Sequence, residues 1–380
     1  MLYLDFSPSM LTEQYIQELE DARNDLDPYA RLPEEYTVEL RRHALVETIH
    51  YSTRIEGNTL TLEQVQSLLA GENIRAPQAQ VQEVQNYREA LSYIHSLGEG
   101  SARITEETIR TIHYLVTKSL TSDYSPGHYR TVQNYVVDSV ADRRVFLPPA
   151  PENVPGLMQE FVEWLNQRNE LPATFRAALA HLNLVAIHPF SDGNGRTARV
   201  LDSLVLYREG FRSQYLVSLE AHFGRDTQSY YRALAAALGP RYAPPKDTTP
   251  WVEYYLRAHV EEALAALQYT KVVVEEFDGL KEAFRSERLS AWQVSILWYT
   301  CRTGRISNRV YRQITGRSHQ SAVADFTTLM KQGLLERLGQ RRSVVYVPSE
   351  RTKHVFHQIH LQLEQSEVRG ADKDITSQKS

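Results

Sequence analysis

Within the twelve residues His188-Pro-Phe-Ser-Asp192-Gly193-Asn194-Gly195-Arg196-Thr-Ala-Arg199 stand a proton acceptor, a carboxylate, two glycines and two cations. Residue types at this spacing point to a site for a polyphosphate. The glycines free backbone N–H groups from any Cβ obstruction, and at the start of a helix such groups form an anion cradle with the helix dipole behind it. Arg196 and Arg199 oppose that dipole by about 0.3–1 kcal/mol each, so an anion must be there to reward them. Asp192 suits an anion site only if a divalent cation bridges carboxylate and phosphate, and oxygen ligands with few protein donors point to Mg²⁺. His188, with an ordinary pKa near 6.5, is the candidate base.

Two helices must position these groups. Phe175, Ala178, Leu179, Leu182, Val185 and Ala186 recur at helical spacing up to Ile187. Pro189 then drives His188 out of the α region, which ends the helix and leaves His188 in a loop. A second helical pattern opens between Asn194 and Arg196, runs through Ala198, Leu201, Leu204 and Val205, and stops near Gly210, which suits a left-handed C-terminal cap. Asp-Gly and Asn-Gly also mark hairpin turns, but those need alternating strands on both sides, and both flanks here have helical period.

At these residues the chain resembles the Fic family, whose motif H-x-F-x-D/E-G-N-G-R-x-x-R is matched at every specified position. The resemblance implies a mainly α fold and transfer of AMP from Mg·ATP to a Ser, Thr or Tyr hydroxyl of a target protein. It implies that His188 takes the hydroxyl proton and that Asp192 holds Mg²⁺ against the α- and β-phosphates. Gly193, Asn194, Gly195 and Arg196 would form the anion hole, and Arg199 would meet the γ-phosphate.

A second motif lies upstream. Thr37 to Glu56 carries apolar residues at helical spacing and is closed by Gly57. Glu56 then falls in a last turn, where the dipole disfavours a carboxylate and a cationic partner is expected. Ser52-Thr-Arg-Ile-Glu56-Gly-Asn58 resembles the S/T-x-x-x-E-G/N inhibitory motif of Fic proteins with an N-terminal inhibitory helix. This implies that Glu56 pairs with Arg199 and blocks productive placement of the γ-phosphate. The same glutamate orienting a water to remove AMP is an alternative that the sequence leaves open.

Tyr135-Val136-Val137 and Val145-Phe146-Leu147 are short β-type runs on either side of a polar stretch, stopped by Pro148-Pro149, and they predict a hairpin. In the family the corresponding flap aligns the target segment by strand-like pairing. The aromatic pair Tyr230-Tyr231 lies at helical positions; periodicity favours core, and the resemblance places one of the two rings near the adenine.

The chain has 380 residues, 42% hydrophobic and 23% charged, with one cysteine. This composition excludes an internal disulfide framework, and neither a secretory h-region nor a membrane-length apolar run is present, so a cytoplasmic setting is expected. The net charge of −5 is uneven: residues 281–350 hold twelve Lys/Arg against five Asp/Glu, net +7, leaving −12 elsewhere. That split predicts a second module with its own partner. Three helical runs, Ala291–Thr300, Ile306–Ile314 and Ser321–Lys331, precede a hairpin over Leu334–Val347 with a Gly-Gln-Arg-Arg tip, the pattern of a winged helix-turn-helix. Arg317, Ser318, His319 and Gln320 at the third helix, with Arg341 and Arg342 on the wing, are candidate DNA contacts. His354, His357 and His360 spread around a helix rather than converge on a metal. Ser366–Ser380 is polar and predicted disordered.

The sequence thus divides into an N-terminal helical region over 1–103 with the inhibitory helix at about 37–57, and a catalytic core over 104–250 with a flap at about 134–148. Connecting helices over 251–287, a winged helix over 288–348 and a tail over 349–380 follow. The expected partners are ATP, a target protein, a second copy of the chain and, through residues 288–348, DNA; self-modification is also expected. The rival reading from another class is a DNA-binding regulator whose core only senses nucleotide.

Overall fold

The computed structural model describes residues 1–97, 103–120, 125–138, 143–167, 171–211, 216–340 and 344–377. It is mainly α-helical, with two small antiparallel strand pairs. The N-terminal helices are α1 (Met10–Ala30), α2 (Glu34–Ile55), α3 (Leu62–Leu69), α4 (Gln78–Ser96) and α5 (Glu106–Thr117). Strands β1 (Val136–Asp138) and β2 (Arg143–Phe146) precede α6 (Val154–Asn166), α7 (Ala173–Ile187), α8 (Asn194–Arg208), α9 (Leu219–Arg225), α10 (Thr227–Leu238) and α11 (Thr249–Ala283). Then come α12 (Ala291–Thr303), α13 (Asn308–Thr315), α14 (His319–Lys331), β3 (Leu335–Leu338), β4 (Val345–Pro348) and α15 (Glu350–Ser377). No described helix is long and apolar enough to cross a membrane.

The chain divides into two compact units. One comprises Met1–Ala30, Ala44–Leu69 and Ile74–Ala265; the other comprises Arg31–His43, Ala70–Asn73 and Ala266–Ser380. This differs from the sequence-based division at the N-terminus, where residues 31–43 group with the C-terminal unit. Within that unit the Tyr36 ring packs on Phe277 at 4.1 Å and its hydroxyl donates to Asp278 at 2.7 Å, while His43 stacks on Tyr269 at 4.0 Å.

In the first unit α7 and α8 pack along each other and form the centre, with α4, α5 and α6 around them. Helix α7 is buried nearly all round: Phe175, Ala178, Leu179, Leu182 and Ile187 supply the apolar surface, and its buried Arg176, His181 and Asn183 are hydrogen-bonded to other groups. It ends at His188, whose φ of 50° and ψ of 56° are left-handed. Helix α8 opens after Gly193, at φ 73°, so the short loop between two rigid central helices carries the predicted chemistry. The chain's first residues secure α7 as well: the Tyr3 N–H donates to Asn183 Oδ1 at 2.8 Å, and Asn183 Nδ2 donates to Tyr3 O at 2.9 Å.

The hairpin forms, displaced slightly from the sequence reading. Val136 pairs with Phe146, Val137 with Arg144 and Asp138 with Arg143. Leu147 leaves this pair and bonds elsewhere, its N–H donating to Pro240 O at 3.0 Å while Tyr242 N–H donates to Leu147 O at 2.9 Å. Residues 139–142, the hairpin tip, lie outside the described residues.

In the second unit α12, α13, α14 and the β3–β4 pair fall where the periodicity puts three helices and a hairpin, with Leu335 opposite Pro348 and Leu338 opposite Val345. Arg317 is committed within the unit: its guanidinium pairs with Asp325 at 3.0 Å and lies 5.3 Å from the Trp292 ring centre. Ser318 is the N-cap of α14, accepting from the Ser321 N–H. Arg341 and Arg342 lie outside the described residues. The connecting region is one long helix, α11, followed by a short 3-10 turn at Arg285–Glu287. Helix α15 continues to Ser377, through most of the segment expected to be disordered; once a helix is docked at one end, extension avoids the nucleation cost. His360 bonds Glu276 at 2.9 Å while His354 and His357 face solvent, and no group of three or more metal-ligating side chains occurs among the described residues.

Candidate active site

The loop from His188 to Gly193 is held by its own motif. Asn194 Oδ1 accepts from the Phe190 N–H at 3.0 Å and its Nδ2 donates to Phe190 O at 3.0 Å, so its side chain closes the loop on itself. The ordered backbone leaves the N–H groups of the first turn of α8 ahead of the first helical bond, Thr197 N–H to Gly193 O at 3.0 Å. Gly193 must be glycine: at φ 73° a Cβ would also meet Thr117 Cγ2 at 2.4 Å. Gly193→Ala is therefore expected to destabilise the fold by about 2–4 kcal/mol, from the left-handed backbone and the overpacking together. Chemical denaturation checks this, and an unchanged midpoint would show that the loop yields.

His188 is half-buried. Its Nδ1 lies 3.3 Å from Val185 O, a group that can only accept, so the proton is assigned to Nδ1 and Nε2 keeps its lone pair. Burial holds the imidazole down to about 4, against a smaller upward pull from that carbonyl, so it is neutral at neutral pH.

Asp192 is the exposed member, its side chain 55% accessible, and its Oδ2 accepts from Arg196 Nη2 at 3.2 Å. Arg196 also donates to Glu83 Oε1 at 2.7 Å, while the other oxygen of Glu83 accepts from Asn58 Nδ2 at 2.9 Å. Burial raises the Glu83 carboxyl above the usual range, opposed by Arg196.

Arg199 is 1% exposed. Its Nε donates to Ser52 Oγ at 2.7 Å, and its Nη2 donates to Ser52 O at 3.0 Å and to Glu56 Oε1 at 2.7 Å. Glu56 stands just past the end of α2 rather than within its last turn, its N–H bonding Thr53 O at 3.1 Å. The same Oε1 lies 2.8 Å from where a Cβ on Gly195 would be, with Arg199 Nη1 at 3.2 Å from that point. A carboxylate oxygen thus rests on the glycine at the head of α8, between the cradle and its buried cation.

The tyrosines separate. Tyr230 is 1% exposed, with its hydroxyl 2.8 Å from His181 Nε2 and its ring packed on Phe223 at 4.8 Å; it belongs to the core. Tyr231 is 47% exposed. On the flap Tyr135, Val137 and Leu147 are exposed, Val136 and Val145 are half-buried, and Phe146 is buried; the Arg144 guanidinium sits 3.8 Å from the Tyr135 ring centre.

Sequence reasoning missed Glu83, Arg130 and His113. His113 stacks on Phe190 at 3.7 Å, its Nε2 bonds Asp192 O at 2.9 Å and its Nδ1 accepts from the Gly127 N–H at 2.8 Å. Burial lowers its pKa to about 4. Each acts on the motif from a distant element, and only the helical periodicity of α5, which turns His113 inward, offered a signal.

Residues 103–206 match the Fic/DOC family. A protein adenylyltransferase Fic of Nematostella vectensis is 35% identical over 210 residues, covering 53% of this chain and 46% of that protein. Protein adenylyltransferase fic-1 of Caenorhabditis briggsae is 31% identical over 250 residues, covering 60% of this chain and 46% of that protein. The chain therefore spans less than half the length of these curated relatives. Among solved structures, a Fic family protein of Desulfovibrio desulfuricans G20 shares the fold at a TM-score of 0.60 and 24% identity, over 91% of this chain and 98% of that one. A fragment of Fic-1 from C. elegans aligns at a TM-score of 0.53 and 25% identity, over 70% of this chain and 74% of that one.

Proposed function

We propose that the Fic domain carried by this chain is a protein adenylyltransferase that moves AMP from Mg·ATP to a Ser, Thr or Tyr hydroxyl of a target protein, and that Glu56 holds it inhibited. The observation that carries this reading is the Glu56 carboxylate resting on Gly195 against Arg199. It stands in for the anion that the cradle is built to take, and it consumes the cation that a γ-phosphate needs.

In the transfer, the target oxygen attacks the α-phosphorus. The bond from that phosphorus to the bridging oxygen breaks, pyrophosphate leaves with the electron pair, and the hydroxyl proton passes to Nε2 of His188. The first-turn N–H groups of α8 and Arg196 stabilise charge on the phosphates; positioning and charge stabilisation dominate such transfers. Asp192, exposed and adjacent to the cradle, fits a Mg²⁺ ion held by one protein carboxylate and phosphate oxygens, and the ion would neutralise phosphate charge. In this reading Tyr231, the accessible ring of the pair, borders the nucleotide, and the exposed edge of the flap is the docking strand for the target.

Incubating the Glu56→Gly protein, the parent for these tests, with α-labelled ATP and a cell lysate, then identifying labelled proteins, tests the reading; label from γ-labelled ATP instead of α-labelled ATP would overturn it. Asp192→Ala should lose at least tenfold in transfer and the remaining activity should no longer depend on Mg²⁺. Full activity of the parent protein in excess chelator would remove the metal role.

A further inference from the structure

We infer that Arg130 is a positioning residue that ties the candidate base to the foot of the flap, so that base and docking strand share one frame. The inference rests on the adenylyl-transfer reading above. Arg130 is 4% exposed. Its Nε donates to His188 O at 2.8 Å, its Nη2 to Pro149 O at 2.5 Å and its Nη1 to Val132 O at 3.4 Å. Its own N–H donates to Pro189 O at 2.9 Å. One residue thus bonds carbonyls before and after the hairpin and the consecutive carbonyls of His188, which carries the imidazole, and Pro189. Neighbours repeat the pattern: Gln133 Nε2 donates to Pro148 O at 3.2 Å, and Asn134 Nδ2 donates to Phe190 O at 3.2 Å.

Two physical arguments separate this from ordinary packing. His188 sits at φ 50°, a left-handed conformation that a residue with a side chain keeps only when its surroundings impose it. Its N–H is fixed by Leu184 O at 3.0 Å and its carbonyl by Arg130, which together set the direction of the ring. A position that only needed filling would carry an apolar side chain, because burying a cation is costly. The planar fork reaches several carbonyls at fixed angles, which a lysine ammonium cannot do.

The charge matters beside the geometry. The charged groups facing His188 are Arg130 from the stretch before the flap, Asp192 from its own loop and Glu56 from the end of α2; Arg130 itself faces Glu152. Burial is the main cause of the low His188 pKa and Arg130 adds a smaller downward push, so losing the Arg130 charge should move the titration upward from about 4 while burial still holds it below the ordinary value.

The test uses the full chain carrying Glu56→Gly, with Arg130→Lys and Arg130→Met added separately. Thermal melting checks folding, calorimetry reads Mg·ATP affinity, and transfer is followed against pH. The His188 ring is titrated by NMR on histidine-labelled protein, which needs no activity. Both variants should bind Mg·ATP within about twofold of the parent and lose about 10–100-fold in kcat with little change in KM for ATP, the cost of misplacing a reacting group by about an ångström. Arg130→Met should also shift the His188 titration upward, while Arg130→Lys, which keeps the charge, should leave it in place. Activity of both variants within threefold of the parent, or an unmoved His188 titration in Arg130→Met, overturns the inference. If Arg130→Met does not fold, the kcat of Arg130→Lys decides. Failure of the Glu56→Gly parent itself to transfer AMP counts against the enzymatic reading alone, and the NMR titration then settles the role of Arg130.

Discussion

Replacing Glu56 by glycine is expected to raise AMP transfer by about tenfold to a thousandfold, the range that loss of a partly buried charge pair allows at 1.36 kcal/mol per factor of ten. Glu56 Oε1 is 2.7 Å from Arg199 Nη2 and its side chain is 23% exposed, so the pair is screened only in part. Removing the carboxylate frees both Arg199 and the space over Gly195. It does not release the guanidinium from its seat, because Ser52 Oγ at 2.7 Å and Ser52 O at 3.0 Å still hold it. Arg199 is thereby left oriented, with the Nη2 hydrogen that Glu56 had held turned to a phosphate oxygen in this reading. The measurement is labelling of targets and of the protein itself by Glu56→Gly, alone and with Arg199→Ala; the double variant should fall back to low activity. Labelling by Glu56→Gly no faster than the parent would return Glu56 to a surface role or to positioning water for AMP removal.

His188→Ala, in the Glu56→Gly background, should lose about 10²–10⁴-fold in kcat, the usual contribution of a general base, while Mg·ATP binding changes little because the base acts in the transition state. The pH profile gives an independent check. The neutral imidazole is the active form, and burial holds it at about 4. kcat/KM, which reports the free enzyme, should stay flat from neutral pH downward and fall only as the pH passes through about 4. A fall near 6.5 would mean that the base is hydrated in the working enzyme or is another group. Undiminished labelling by His188→Ala would sink the assignment.

The local frame of the motif was readable because it needs only neighbours within one turn. Pro189 ends a helix, Gly193 stands left-handed at the head of the next, and Arg196 and Arg199 lie three residues apart on its first turns. The limits of α7 and α8 followed from the same periodicity. The residues that steady the site were not readable, since their contacts cross the chain: Arg130 to His188 spans 58 positions, His113 to Asp192 spans 79 and Arg196 to Glu83 spans 113. Periodicity turns such side chains inward without saying what they meet. Asn194 shows the same limit from within the motif: that its side chain closes the loop on Phe190 was not legible from its neighbours.

Residue types and spacing by themselves determined that His188, Asp192, two glycines and two arginines stand around one helix start, because helix termination and capping act over a single turn. The motif Ser52 to Glu56 carried, by resemblance, the expectation of an acidic partner for Arg199. Only the tertiary structure decided which atoms meet: that Glu56 lies on Gly195, that Tyr230 is core while Tyr231 is exposed, and that Arg130 joins the turn at His188 to the feet of the hairpin. Those outcomes depend on how buried helices pack, where fixed shapes and unpaired polar groups select one arrangement from many that the same pattern allows.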